Sequence, residues 1–357
     1  MSLPTAETNA QSGEESATPQ SAMNPYVFVV GCPRSGTTML QRMLNSHPQL
    51  VVANDTHFIP RTLEIVDPRL ISTILQEGDI PLTESLVRAA YGYHRFGRLG
   101  LSDHRARQAA TRANTYRQFV CELYAALASA HEKPLAGDKT PDYVRWLPLL
   151  HALFPWSRSI HIVRDGRDTA LSLLDWANPK RGPGRFDLWR EQPLVVAALW
   201  WRWQVQHGLT AATRLDPACH LVVHYERLVE SPEVELRRVA DFLKIPFASE
   251  MLRFHEGRQH DRTGLSAKQA WLPPTPVLRD WRRQMNGADR QLFEVLAGDT
   301  LALLGYPIRG DAPSPALVRQ ADEYRERWHS ALARRHSRDQ FVIAEIQERN
   351  LPPAIAE

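Results

Sequence analysis

Residues 26–30 read Tyr-Val-Phe-Val-Val, Gly31-Cys-Pro-Arg-Ser-Gly36-Thr37-Thr38 follows at once, and Met39-Leu-Gln-Arg-Met-Leu-Asn comes next. A short unbroken apolar run rich in β-branched residues is the pattern of a parallel strand buried on both faces. Met39, Leu40, Met43 and Leu44 fall at helical spacing. The order is therefore strand, glycine-bearing loop, helix, with the glycine spacing of a Walker A loop but Thr37 where its lysine would stand. Loop N–H groups and a helix N-terminus make an anion cradle without that lysine. Ser35, Thr37 and Thr38 add hydroxyl donors and Arg34 adds a cation. Triphosphate enzymes of this type use the lysine on the β- and γ-phosphates together with magnesium, so its loss argues against a kinase.

The same alternation recurs. Residues 159–163 (Ser-Ile-His-Ile-Val) and 220–225 (His-Leu-Val-Val-His-Tyr) read as strands, each followed by a helix, and a shorter strand is expected near Pro134–Ala136. Strands alternating with helices predict a parallel sheet covered on both faces, an α/β fold. Residues 61–131 read as mostly helical and carry Arg95, Arg98, Arg105 and Arg112. These arginines suit a solvated helix face first and an anionic acceptor second. Residues 178–193 and 256–276 read as irregular. Leu317, Ala321, Tyr324, Trp328 and Leu332 mark an amphipathic helix over 315–348, expected to pack on the body of the protein. Trp200 and Trp203, one helical turn apart, are expected to face the core rather than to form a sugar platform.

Residues 1–24, rich in Ser, Thr, Ala, Gln and Glu, read as a disordered tail and as neither a secretory signal nor a membrane anchor. No run approaches the ~18 apolar residues of a spanning helix. Cys32, Cys121 and Cys219 are too far apart and too few for a disulfide framework or a zinc site, which suits a reducing, cytoplasmic setting. A formal net charge of +3 is too small to argue for nucleic acid and is compatible with a small anionic ligand.

Pro33-Arg-Ser-Gly-Thr-Thr38, followed by a helix and His47-Pro48, resembles the 5′-phosphosulfate loop of sulfotransferases that use 3′-phosphoadenosine-5′-phosphosulfate (PAPS). It is more similar to the tyrosylprotein, carbohydrate and bacterial branches than to the cytosolic small-molecule branch, whose loop usually has lysine in place of Arg34. The resemblance spans about residues 26–285 and implies a P-loop-type three-layer α/β/α sandwich with a central parallel sheet and helical insertions. It implies a domain over 25–312, an acceptor-shaping region at 61–131, and a C-terminal helix and tail at 313–357. It also implies that Arg34, Ser35, Gly36, Thr37 and Thr38 hold the 5′-phosphosulfate. Arg164-Asp-Gly-Arg-Asp-Thr-Ala-Leu-Ser172 is similar to the family's 3′-phosphate motif, in which Arg164 and Ser172 reach one phosphate with help from Arg167.

Gly137-Asp-Lys139-Thr-Pro141 resembles the stretch that supplies a cation, here Lys139, near the transferring sulfuryl. Tyr225, in His224-Tyr-Glu-Arg-Leu-Val229, is either an adenine-side contact or core packing. Ser266 and Lys268 are the candidates for a loop over the nucleotide, although Trp271-Leu-Pro-Pro-Thr-Pro departs from the family's pattern there. Residues 53–61 resemble the tyrosylprotein branch's segment that carries a glutamate base. Asp55 takes that place, and His57, two residues on, is the second candidate.

The implied reaction is in-line sulfuryl transfer from PAPS to a hydroxyl or amine, without a metal, releasing 3′,5′-ADP. The acceptor stays open among small molecules, saccharides, lipids and peptides, and a homodimer is allowed. The alternatives are a degenerate P-loop kinase, a protein that binds PAPS or 3′,5′-ADP without catalysis, and a helical scaffold.

Overall fold

The computed structural model describes residues 23–175, 186–256, 273–274, 279–309 and 312–349, with side chains described as far as Arg334 in the last helix. Residues 1–22 of the tail expected over 1–24, Ser266 and Lys268, and the end of the chain after Arg349 lie outside the described residues. Asn24, expected in that tail, is instead buried, donating to the Pro134 carbonyl oxygen at 3.2 Å and accepting the Ala136 N–H at 2.7 Å.

β1 (Val27–Val30) leads through the glycine loop into α1 (Thr37–Asn45), and β2 (Leu50–Asn54) follows. A helical insertion comes next: α2 (Phe58–Val66), α3 (Arg69–Glu77), α4 (Glu84–Gly92), α5 (Asp103–Thr111) and α6 (Tyr116–Ala130). β3 (Leu135–Lys139), α7 (Leu147–Leu153), β4 (Arg158–Val163), α8 (Gly166–Leu174) and α9 (Pro193–Ala212) continue the chain. Then come β5 (His220–His224), α10 (Tyr225–Glu230), α11 (Pro232–Leu243), α12 (Trp281–Gln284), α13 (Gly287–Leu303) and α14 (Pro315–Arg349). Several starts are written in the sequence as caps: the side chains of Thr83, Ser102, Thr115 and Asn286 accept backbone N–H groups from the first turns of α4, α5, α6 and α13.

The strands form one parallel sheet in the order β2-β3-β1-β4-β5. β1 is central, and the chain departs from it first to one side and then to the other. Such a reversal leaves a crevice at the C-terminal ends of the strands, where ligands of open α/β sheets bind. Side chains of β1 alternate between two cores. Phe28 and Val30 join the cluster of α2, α4, α6 and α7, whereas Val27 and Val29 join that of α1 and α11. A third cluster gathers α8, α9, α13 and α14. The three-layer arrangement with a central parallel sheet is as expected.

Trp200 and Trp201 are buried, and Ala321, Tyr324 and Trp328 seat α14 on that third core, with the Trp328 and Phe186 ring centroids 4.3 Å apart. Two strand readings change. β2 was not expected, and β3 runs on to Lys139, because Asp138 is buried among Thr56, Tyr124 and Thr140, whose hydroxyls all donate to it.

Away from the crevice, a row of histidines is buried without carboxylates. His151 Nε2 lies 3.2 Å from Ser159 Oγ, which lies 2.7 Å from His220 Nδ1, and the His161 ring is beside that of His220. Burial holds His151 and His220 down to about 4 and His161 to about 3. The unfolded chain therefore binds protons first as pH falls below ~6.5, and stability present above that pH is lost between it and about 4. Unfolding free energies from urea titrations between pH 7.5 and 5 should fall by about 1 kcal/mol or more per histidine by pH 5.5. His161→Leu should remove one proton from that dependence, and an unchanged slope would contradict the assignment.

Candidate active site

Most of the candidate residues described follow or end a strand on the same edge of the sheet: Asp55 after β2, Lys139 at the end of β3, Gly31–Thr38 after β1, Arg164 after β4 and Tyr225 after β5, while Ser172 lies on α8. The glycine loop is shaped by close approach. Gly31 has φ 147°, and a Cβ there would stand 2.4 Å from the Ile162 carbonyl oxygen. Gly36 has φ 95°, and a Cβ there would meet the Tyr225 ring at 2.5 Å. Both values lie where L side chains are strained. Arg34, Asp55 and His57 also have positive φ, at 77°, 65° and 58°. Strain of this kind collects at functional sites.

The loop and the β4–α8 motif meet. Arg34 Nε donates to Ser172 Oγ at 2.9 Å. Burial lowers the Arg34 pKa, with help from the charges of Arg164 and Arg279 and against that of Asp175, so cations are gathered here ahead of an anion. The Arg164 guanidinium lies 4.4 Å from the centre of the Tyr225 ring, and Trp201 Nε1 donates to the Arg164 carbonyl oxygen at 3.1 Å. Ser35 Oγ and Arg164 Nε are buried without a hydrogen-bond partner among the described residues. Buried donors left unsatisfied are uncommon, and each is free to meet an acceptor on a ligand. Tyr225 thus packs between Gly36 and Arg164, touching both motifs.

Arg167 does not join this group. It is fully buried, paired with Asp165 at 2.8 Å and Glu294 at 2.7 Å, and its guanidinium lies 3.6 Å from the Trp281 ring centre. Asp165 and Asp168 are not left for Arg164 either: Asp165 caps α8 and holds Arg167, and Asp168 accepts the Trp281 N–H at 2.8 Å.

Across the loop, Lys139 Nζ donates to Thr38 Oγ1 at 3.4 Å, the backbone N–H of Asp55 donates to the Lys139 carbonyl oxygen at 2.7 Å, and the three residues bound one corner of the crevice. Burial lowers the Lys139 pKa, while Asp55 and Asp138 oppose the shift. Asp55 Oδ1 accepts from His57 Nε2 at 2.8 Å. Its Oδ2 accepts from Arg95 at 2.9 Å and Arg98 at 2.6 Å. Burial alone would raise the Asp55 pKa, but the His57 hydrogen bond and the charges of His57, Lys139 and Arg95 hold it well below the carboxylate range. His57 Nδ1 faces Asp142 Oδ2 at 3.9 Å, and Gln204 Nε2 donates to Asp142 Oδ1 at 2.8 Å.

Arg95 and Arg98 thus turn to Asp55, Arg98 from an exposed position, whereas Arg105 and Arg112 lie on the surface with other partners. Asp138, Asp142 and Glu226 were not singled out from sequence, although each lies within three residues of a motif residue. Glu226 accepts the Asp165 N–H at 2.9 Å and the Tyr306 hydroxyl at 2.9 Å, tying the β4 loop to the end of α13.

Fold and site together define an α/β protein in which two arginine-bearing loops, after β1 and β4, meet at one edge of a parallel sheet. Comparison with known proteins then gives the family. The model of the sulfotransferase family matches residues 25–249. The chain belongs to the sulfotransferase family, and its activity is sulfuryl transfer. A putative protein-tyrosine sulfotransferase of Caenorhabditis briggsae is 26% identical over 316 residues, covering 84% of this chain and 96% of that protein. Protein-tyrosine sulfotransferase 1 of Danio rerio is 26% identical over 234 residues, covering 65% of this chain, and the match spans only 56% of that protein's length. The sulfotransferase domain of a Synechococcus olefin synthase shares the fold with a TM-score of 0.53 at 24% identity, over 85% of this chain and 100% of that domain. No helix among the described residues is long and apolar enough to cross a membrane.

Gly36→Ala should lower the thermal midpoint by several degrees, since the backbone alone costs roughly 1–2 kcal/mol and Tyr225 must also move. Gly287→Ala, where a Cβ meets nothing within 4 Å, is the control and should be neutral. Equal midpoints for the two variants would contradict the geometry of the loop.

Proposed function

We propose that PAPS is the sulfuryl donor and lies along the C-terminal edge of the sheet, with its 5′-phosphosulfate on Arg34, Ser35, Gly36, Thr37 and Thr38 and its 3′-phosphate on Arg164 and Ser172. The observation that carries this reading is the Arg34–Ser172 hydrogen bond of 2.9 Å, which brings two anion motifs far apart in sequence into one cradle. The orphaned Ser35 Oγ and Arg164 Nε supply donors for such a ligand. Tyr225, beneath Arg164, suits the adenosine side. A kinase reading finds no support, because Thr37 stands where the Walker lysine would be.

The acceptor's oxygen or nitrogen attacks sulfur in line, and the bond from sulfur to the bridging oxygen breaks, leaving its electron pair on the departing 5′-phosphate. Lys139, beside Thr38, and Arg34 meet that growing negative charge. Asp55 takes the acceptor's proton. We assign the base to Asp55 rather than His57 because both His57 ring nitrogens face carboxylates, while Asp55 Oδ2 points toward the insertion. The products are 3′,5′-ADP and a sulfate ester or sulfamate. The relatives named protein-tyrosine sulfotransferases favour a peptide acceptor among the types the site could take. We place the transfer domain at residues 25–312 with its acceptor-shaping insertion at 61–131, and, on the free cysteines, in a reducing cytoplasmic setting.

Arg164→Ala should weaken 3′,5′-ADP by more than tenfold, about 1.5–3 kcal/mol for a lost charge-assisted phosphate contact. Lys139→Ala should instead lose roughly a hundredfold or more in turnover while binding 3′,5′-ADP better than the Arg164 variant does. Calorimetry and PAPS-dependent sulfate transfer read the two effects, and unchanged nucleotide affinity in a folded Arg164 variant overturns the 3′-phosphate assignment. Asp55→Asn should keep nucleotide affinity and lose turnover. Persisting turnover, with its loss in His57→Ala, would reverse the roles of the two.

A further inference from the structure

Asp55 stands here in a form unsuited to taking a proton. Its Oδ1 is held by His57, and both Arg95 and Arg98 converge on its Oδ2. The two arginines belong to a single turn. Arg95 precedes the 3₁₀ segment Phe96–Leu99, and a residue three positions on in such a turn falls on the same side. Phe96 and Leu99 anchor the segment in the core, with the Phe96 and Phe58 ring centroids 5.4 Å apart, so the opposite side carries both guanidinium groups to the crevice. Each arginine offers Asp55 a single Nη1, and neither makes the two-toothed pairing that a planar guanidinium forms with a carboxylate. Arg95, Arg98 and Lys139 all lie around Asp55, with Asp138 behind Lys139 as a second carboxylate of the corner. An incoming anion would therefore find two forked donors beside the carboxylate oxygen of Asp55 that His57 does not hold.

Resting on the sulfotransferase reading above, we propose that the acceptor carries its own anionic group near the reacting hydroxyl or amine, and that this group takes Arg95 and Arg98 from Asp55. Binding then does two things at once. The arginines select an anionic acceptor, and their departure leaves Oδ2 able to receive the acceptor's proton as the sulfur–oxygen bond to the acceptor forms and the bond to the 5′-phosphate breaks. The proton stays on Asp55 and passes to solvent after release of the products. Arg95 and Arg98 are specificity-determining residues, and Asp55 is the catalytic one. Without an anionic acceptor the base stays locked, which guards the donor against wasteful transfer.

The test uses the full chain saturated with 3′,5′-ADP for binding and with PAPS for turnover. Three probe pairs differ in one anion: 4-hydroxyphenylacetate against p-cresol, Glu-Tyr-Glu against Gln-Tyr-Gln, and glucuronate against glucose. At least one anionic member should bind tenfold or more tightly than its neutral partner, and the pair with the widest gap identifies the acceptor's scaffold. In the double variant Arg95→Gln, Arg98→Gln that gap should close. Turnover of the neutral partner should rise, and the acid limb of its pH profile should move upward, because Asp55 loses two cations and keeps only His57 and Lys139. A merely structural role for the arginines would depress both partners together. Absence of a gap in every pair, or a gap that survives in the double variant, overturns the proposal and leaves the nucleotide site standing. Failure of the unmodified chain to bind 3′,5′-ADP brings down the reading on which it rests.

Discussion

A side chain at position 31 would stand 2.4 Å from the backbone of β4, and one at position 137 would stand 2.3 Å from the backbone of β1. The site depends on this closeness. Because Gly31 lets the loop cross directly over the end of β4, Arg34 reaches Ser172 on α8, and because Gly36 lies against Tyr225, the first turn of α1 opens onto the ground held by Arg164. Gly166 continues the pattern, with no space between it and Trp201 or Phe293, so α8 sits directly on α9 and α13. Glu226 closes the frame by accepting from the Asp165 N–H, fixing the β4 loop against the end of β5. Functional groups drawn from separate strands thus share one crevice, since a parallel sheet delivers all of its strand ends to the same edge.

The acceptor side follows a different logic. Asp138, without exposure, receives hydroxyls from Thr56, Tyr124 and Thr140. That network pins the turn after β2 to the end of β3, and with it Asp55, His57 and Lys139. A buried, well-partnered carboxylate is a rigid fixture, because breaking any one bond exposes the desolvation penalty of the group. Asp55 has the opposite character. It is only partly exposed, surrounded by long cationic side chains, and bound by groups that another anion could claim. One carboxylate builds the corner, and its neighbour is the proposed base.

Much of the edge formed by β1, β4 and the loops after them was legible in the sequence because its signals are local. β1 and β4 are unbroken apolar runs, and the loops that follow them carry glycine, arginine and hydroxyl residues within a few positions. The turn after β2 was visible only as a resemblance. β2 itself passed unnoticed, since Leu50–Asn54 begins within a few residues of the end of α1 and offers only a short apolar stretch. The extent of β3 was hidden because Gly137, Asp138 and Lys139 do not look like a buried strand, and their burial is set by partners on β2, α6 and the turn after β3. That Arg95 and Arg98 turn to Asp55 was not legible, because the carboxylate lies 40 and 43 positions upstream, beyond any periodicity. Arg167 looked like a phosphate ligand for the converse reason: its partner Glu294 is 127 positions away. Local pattern finds strands and loops, and long-range ion pairs decide which arginines remain for the ligand.

The most direct test of the central claim is a calorimetric titration of the full chain with 3′,5′-ADP, with 5′-AMP, and with ATP plus magnesium. The paired cradle of Arg34, Arg164 and Ser172 predicts firm binding of 3′,5′-ADP, at least tenfold weaker binding of 5′-AMP, which lacks the 3′-phosphate, and little affinity for ATP. Binding of ATP with magnesium and none of 3′,5′-ADP would contradict the account and point to phosphoryl rather than sulfuryl transfer.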